Sequence, residues 1–418
     1  MALAWASGAI WRELGAPIAA PRLWHYAVYC AFPRDPDVQI RCETQDLGAK
    51  IASLECFVSQ PFIHDMVDRL RADGPLEYLM EETWTPYRPA AYAARFGGTS
   101  ATSDAVLRDD ARQVLDGLDA WKPWPALEEA LREPAGIRLV GEGSSRLFVA
   151  GFARSLLRRF GSKIPFDACG GRSAEGAAAG PTQVLVSNSG ATREIVEAVG
   201  ATKAPRRLAL LGLGNGPVAR LADETRVVLQ RPETAVAATA SVFLQAFTLG
   251  AAIARVHGQE VPVQALRAAV AGLIDADLPE ALRSAVGGAR RLWWCDAETG
   301  LADELALKTM ELCGLPGLAA PGTMALHGLE EVFTPDDRVL WLSADRRDES
   351  LRAKVGETTR AAQIVLDRVL PLADVGPWTD LLRLVLGWRI LGDLAVSLGR
   401  DPARPQRARK VGNPLPTE

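Results

Sequence analysis

After Pro134 one pattern recurs along the chain: a short, mostly apolar run, a turn carrying glycine or serine, then a helical stretch. Residues 137–140, 183–187, 207–213 and 226–230 read as strands. Helices are expected from the turn after Val140 through Arg159, over 191–199 and over 235–256. Strands apolar on both faces, alternating with helices, belong to a parallel sheet covered on each side. A helical connection over 261–286 leads into a second such unit. Its strands are expected at 291–295, 339–343 and 363–369, with helices at 302–313 and 378–398. The fold class is therefore α/β, with two flavodoxin-like sandwiches in tandem.

The first 131 residues lack this regularity. Helical patterning occurs at 46–72 and 103–118, and Pro86, Pro89, Gly97 and Gly98 interrupt the stretch between. The expected division is an extension over 1–73, a first sandwich with a helical lead-in over 74–265, and a second over 266–418.

The bulk properties exclude several classes. A net charge of −4 and a basic cluster limited to Arg404, Arg407, Arg409 and Lys410 argue against a nucleic-acid partner. The six cysteines form no CxxC pair and no histidine stands at metal-ligand spacing, so reduced thiols in a cytoplasmic protein are expected, with no metal. The apolar start at 1–11 has no basic segment before it, so no secretory signal is expected. Residues 234–254 carry no charge, but their Ala, Thr and Gln245 content favours a buried helix over a membrane span.

The chemistry concentrates in two strand-to-helix turns. Ser187-Asn188-Ser189-Gly190-Ala191-Thr192 offers backbone amides at a helix start, three hydroxyls and a glycine that admits close approach, which suits a phosphate. Taken alone it equally suits a helix cap. Gly141-Glu142-Gly143-Ser144-Ser145 is a second such turn, and in an open parallel sheet both turns lie at the carboxyl edge where ligands bind. Leu147 follows Arg146 where a dinucleotide-binding fingerprint needs glycine, so no nucleotide cofactor is expected. The second unit has no Ser-x-Ser-Gly after its strand at 339–343, which leaves one cradle per chain.

Farther on, Lys308 and Glu311 share a helix face, with Glu304 one turn earlier in what reads as a surface ion pair. His327 is one of four histidines. Moving a proton between adjacent sugar carbons needs a carboxylate, and opening a pyranose needs a second acid–base group, for which imidazole is suited.

From about residue 77 onward the chain resembles the sugar isomerase (SIS) family, and within it the isomerase part of glucosamine-6-phosphate synthase and the type II glucosamine-6-phosphate deaminases. The resemblance rests on both serine turns, on Glu233-Thr234-Ala235-Val236-Ala237-Ala238-Thr239, on Ala306 to Glu311 followed sixteen residues later by His327, and on the tail from Asp401 to Lys410-Val411. It implies two tandem SIS domains and a sugar phosphate held by Ser145, Ser187, Asn188, Ser189 and Thr192, with Ser144 and Val236 as walls. Glu311 would shuttle the C1/C2 proton and His327, from the neighbouring subunit of a homodimer, would open the ring. Lys308 and Lys410 would hold the open-chain intermediate. Ala240 stands where lysine is common, Leu329 replaces a proline, and Thr309-Met310 replaces a Leu-Lys pair.

Synthases of the family begin with a glutaminase domain and an N-terminal cysteine. Here Ala2 follows Met1 and about 130 residues leave no room for such a domain, so release of ammonia from an amino-sugar 6-phosphate is the expected direction. A fructosamine-phosphate deglycase, a plain aldose–ketose isomerase and a phosphosugar-sensing regulator are the alternatives.

Overall fold

A computed structural model describes residues 23–26, 38–41, 43–55, 67–68, 71, 76–82, 104–174, 180–201, 203–214, 216–344, 348–405 and 407–408. Cys30, Cys42, Cys56 and Lys410 lie outside these, as does most of the stretch expected to be helical at 46–72. The chain divides into two compact units, Met1–Ala101 and Thr102–Glu418.

In the first unit, strands β1 (Leu23–Tyr26), β2 (Val38–Arg41) and β3 (Leu76–Glu82) form an antiparallel sheet in the order β1-β3-β2. Helix α1 (Thr44–Glu55) follows β2.

The second unit opens with helices α2 (Ala105–Ala120) and α3 (Pro125–Arg132), the latter with proline at its first position, where no amide hydrogen is needed. A five-stranded parallel sheet follows: β4 (Ile137–Gly141), helix α4 (Ser144–Arg159), β5 (Phe166–Cys169), short α5 (Gly171–Ala174), β6 (Thr182–Ser187), α6 (Arg193–Ala201), β7 (Arg207–Leu211) and β8 (Glu224–Val227). Its strand order is β5-β4-β6-β7-β8, so the direction of winding switches between β4 and β6. Three helices lead onward, α7 (Ala240–Val256), α8 (Val263–Asp275) and α9 (Glu280–Val286).

The second sheet is also parallel. It comprises β9 (Arg291–Cys295), helix α10 (Leu301–Lys308) continued by a π-turn over Thr309–Cys313, β10 (Gly317–Ala319), β11 (Asp337–Trp341), α11 (Glu349–Thr359), β12 (Ala362–Val365), short α12 (Leu366–Val369) and the closing helix α13 (Thr379–Ser397). The order is β10-β9-β11-β12. Two tandem parallel sandwiches are therefore present, as the strand pattern implies.

Side-chain alternation sorts each sheet's residues between two cores. Leu139, Val184, Val186 and Leu208 on the first sheet, and Leu292, Trp294 and Leu340 on the second, face one continuous core filled by α4, α7, α10 and α13. Their neighbours point the other way, Val140, Leu185 and Ala209 toward α6, and Trp293, Val339 and Trp341 toward α11. The charge-free stretch becomes α7, buried from Ala240 through Ala254, where each enclosed phenylalanine contributes about 1.5–3 kcal/mol of burial energy. Among the described residues no helix is long and apolar enough to cross a membrane.

The sandwiches meet closely. A Cβ on Gly151 of α4 would stand 2.6 Å from Thr299 O, so the α4 backbone lies directly on the turn preceding α10. Trp378, before α13, packs against Phe152 of α4 and Phe247 of α7 at centroid distances of 5.9 and 5.5 Å.

Several expected boundaries shift. Strands β7 and β11 stop before 213 and 343, and the edge strands β5 and β10 were not anticipated. Helix α7 begins at Ala240 rather than 235, for a reason visible at the site. The helix expected at 302–313 widens into the π-turn where the Thr309 hydroxyl donates back to Leu305 O (2.7 Å) while accepting from Trp294 Nε1 (2.9 Å).

Candidate active site at the carboxyl edge of the first sheet

The two serine turns lie side by side because β4 and β6 pair in parallel, Gly141 opposite Val186. In the turn after β6, Ser187 Oγ and Thr192 Oγ1 are 2.7 Å apart, Gly190 N donates to Ser187 Oγ (3.1 Å), and Ala191 N donates to Ser189 Oγ (3.1 Å). The loop is thus folded around its own hydroxyls before any ligand arrives. Gly190 has φ of 66°, which an L side chain rarely adopts. Asn188 differs from the other loop residues, since its side-chain amide is turned to Glu233 Oε2 (2.8 Å).

Ser144 and Ser145 are the first residues of α4, both buried. Ser145 Oγ lies 3.4 Å from Gln245 Oε1, and Gln245 Nε2 donates to Ser187 O (3.0 Å) and Leu210 O (3.2 Å). Gln245, the one long polar side chain in the buried stretch of α7, therefore links the two turns from beneath.

The second sandwich contributes the charged groups. Lys308, at the end of α10, donates to Ser144 Oγ (2.9 Å) and to Glu311 Oε2 (2.8 Å), and its Nζ stands 3.3 Å from Glu304 Oε1. Lys308 and Glu304 are fully buried, which corrects the surface pair expected from spacing, while the Glu311 side chain is 25% exposed. Burial pulls the Lys308 pKa down, but the carboxylates of Glu304 and Glu311 outweigh it and the net shift is upward. Burial raises the Glu304 carboxyl above its ordinary range, and the ammonium of Lys308 offsets only part of this. The arrangement is a fixed ammonium joining one partly exposed carboxylate to the start of α4.

Val236 sits in a wall several of whose backbone amides are tied to other segments. Asp110 of α2 accepts from Thr234 N (2.9 Å) and Ala235 N (2.7 Å), and Ala403 O in the tail accepts from Val236 N (3.0 Å). Glu233 accepts from Thr239 N (2.8 Å) and Ser241 N (3.1 Å). Amides spent in this way cannot join a helix ladder, so α7 starts five residues later than its composition suggests. The tail reaches the wall at Ala403; Lys410, expected beyond it, is outside the described residues.

His327 is placed apart. It follows the 3-10 turn Met324–Leu326, whose Ala325 and Leu326 pack on the face of the second sheet opposite α10. Its side chain is exposed, and no described contact joins it to Lys308 or Glu311. Exposed Met324 and Val332 lie near it in sequence, at 46% and 48% exposure.

A cavity of about 540 Å³ lies at the carboxyl edge of the second sheet, bordered by Asp296, Leu342, Ser343, Arg159 and Arg383. It corresponds in topology to the position of the serine turns on the first sheet, but an anion is already built in. Asp296 Oδ2 accepts from Thr299 N (3.0 Å), Thr299 Oγ1 (2.7 Å) and Leu301 N (3.0 Å), taking the place at the start of α10 that a phosphate would need. The carboxyl edge of the first sheet is accordingly the candidate site. Among the described residues no three His, Cys, Asp or Glu side chains gather to hold a metal.

Sequence reasoning passed over Gln245, Glu233, Asp110 and Asp296 as functional residues. A polar side chain inside an otherwise apolar helix was the available signal for Gln245. The others needed partners from distant segments.

No family model and no curated protein matches the chain in sequence. Solved structures do match in fold. The C-terminal domain of glucosamine-fructose-6-phosphate aminotransferase from Francisella tularensis superposes with a TM-score of 0.61 at 14% identity, over 74% of this chain and 99% of that one. Glucosamine-6-phosphate deaminase from Thermotoga maritima gives 0.60 at 16% identity over 74% and 99%. Tagatose-6-phosphate ketose/aldose isomerase from Escherichia coli gives 0.56 at 18% over 77% and 100%. The chain therefore has the tandem sugar isomerase (SIS) fold that these phosphosugar enzymes share.

Proposed function

We propose that the chain is an aldose–ketose phosphosugar isomerase acting as a deaminase on an amino-sugar 6-phosphate. The observation that carries this reading is the position of Lys308, which touches both the serine turn at Ser144 and the carboxylate of Glu311. A sugar anchored by its phosphate at Ser145, Ser187, Ser189, Thr192 and the Asn188 backbone would lay its other end toward that carboxylate.

Glu311 then removes the C2 proton of the open-chain aldose and returns it to C1. The electron pair of the broken C2–H bond forms C1=C2 while the C1=O π pair moves to O1, which takes up a proton; protonation at C1 then draws the amine lone pair into C2=N, leaving a protonated ketimine at C2. Water adds to the ketimine and expels ammonia, giving the ketose phosphate. Lys308 stabilises negative charge building on the sugar oxygen next to the base. Val236 and Ser144 line the sugar. His327 opens the pyranose from a second copy of the chain, since within one chain it stands on the far face of the second sheet, and Lys410 would help hold the open-chain intermediate, as the family resemblance implies.

The test is incubation of the purified full chain with glucosamine 6-phosphate, measuring ammonia and fructose 6-phosphate together. Both should appear in equal amounts, and Glu311→Gln should lower kcat at least about a thousandfold, as expected when a general base is removed from a preorganised site. Full activity in Glu311→Gln would overturn the role of the base. Isomerised sugar without ammonia would mark a plain isomerase, release of an amino acid from a fructosamine phosphate would mark a deglycase, and binding without turnover at any pH would mark a sensor.

A further inference from the structure

Glu233 is a buried carboxylate with no place in the proton transfer. Its Oε1 accepts from Thr239 N (2.8 Å), Thr239 Oγ1 (3.2 Å) and Ser241 N (3.1 Å), and its Oε2 accepts from Ser241 Oγ (2.9 Å) and Asn188 Nδ2 (2.8 Å). Four of these five donors belong to the start of α7, where Thr239 itself supplies no side-chain cap. The fifth is the second residue of the phosphate loop. One carboxylate therefore caps the central helix and holds the loop against it, with the positive end of the α7 dipole balancing its charge beside an anion site. Gly212 confirms how tightly Asn188 is held, since a Cβ there would meet Asn188 Oδ1 at 2.2 Å.

We propose that Glu233 is a positioning residue. Through Asn188 it fixes the phosphate loop in its binding shape, setting affinity for the phosphate end of the substrate without entering the chemistry. This rests on the proposed function both for the identity of the substrate and for the phosphate the loop would hold. Loss of the bond leaves Asn188 free to rotate and the loop to sample other shapes, and binding falls by the fraction of time the competent shape is lost.

The experiment measures inorganic phosphate affinity by titration calorimetry, and kcat and KM with glucosamine 6-phosphate, for the full chain carrying Glu233→Gln, Asn188→Ala or both. Each single change should raise the phosphate Kd and the KM about tenfold with kcat within about twofold, and the double should be no worse than the worse single, because both remove one interaction. Ser241→Ala, which weakens only the helix side of the network, should leave the phosphate Kd within about twofold. An unchanged phosphate Kd, a loss confined to kcat, or additive effects near a hundredfold would each overturn the proposal. If Glu233→Gln does not fold, Asn188→Ala with unchanged phosphate Kd is sufficient to overturn it. Wild-type chain that binds phosphate yet releases no product overturns the proposed function alone. Wild-type chain that binds neither phosphate nor sugar phosphate overturns both.

Discussion

Lys308 is held in the protein interior by Glu304 and Glu311, which lie one turn to either side of it. Removing the lysine strands Glu304, whose carboxylate oxygens have no hydrogen-bond partner in good geometry. Lys308→Met should therefore cost about 3–5 kcal/mol in urea unfolding, and adding Glu304→Leu should recover most of it because a buried apolar pair needs no compensation. Activity should stay absent in both, and a stable, active double variant would remove Lys308 from the site. A second residue-scale expectation concerns Asp337. Burial alone would raise its pKa, but Arg291, which donates from Nε (2.8 Å) and Nη2 (2.7 Å), and Thr334 N (2.8 Å) hold it below the ordinary carboxylate value. A lowered folded pKa means this carboxylate's contribution is complete above the unfolded value and lost as pH falls through the folded one. Asp337→Asn should lower the melting temperature at pH 7, and the gap from wild type should close below about pH 4 in thermal melts followed by circular dichroism. A gap constant from pH 7 to pH 3 would refute it.

At the scale of the element, what each helix begins on decides what its sheet can bind. Helix α6 begins on hydroxyls and a glycine with positive φ, and α10 begins on the Asp296 carboxylate. Asp296→Ala should lower the unfolding free energy by about 1–2 kcal/mol, the usual effect of losing a cap, measured by chemical denaturation. Stability unchanged within about 0.5 kcal/mol would show that the turn before α10 holds without it. The central strands of both parallel sheets and helices α2, α4, α7 and α13 were legible in the chain because apolar periodicity is local, whereas strands β1 to β3 and helix α11 were not. The edge strands Phe166–Cys169 and Gly317–Ala319 were not, because each is short and pairs on one side only. The late start of α7 was also hidden, since it depends on Asp110, Glu233 and Ala403 taking amides from segments far apart.

For the whole molecule, the proposed function needs His327 and Glu311 in one site. The two lie on opposite faces of the second sheet in one chain, so under the proposed function a second copy would complete the site. Glu311→Gln and His327→Ala chains should each be inactive alone. Mixed dimers place both defects in one site and leave the other intact, so a random mixture should regain about a quarter of wild-type activity. Mixed dimers identified by native mass spectrometry but without activity would sink the shared site.

By itself the sequence determined the repeated strand–turn–helix order, the two serine turns and the uncharged buried helix, because each is written in residues close along the chain. Only the tertiary structure decided that Glu304 and Lys308 are buried, that Lys308 meets Ser144 across 164 positions of sequence, and that Asp296 occupies the second sheet's anion position. Those outcomes depend on which distant segments pack together. Spacing along one helix can bring Lys308 beside Glu311, but desolvation and the partner at Ser144 come from the other sandwich.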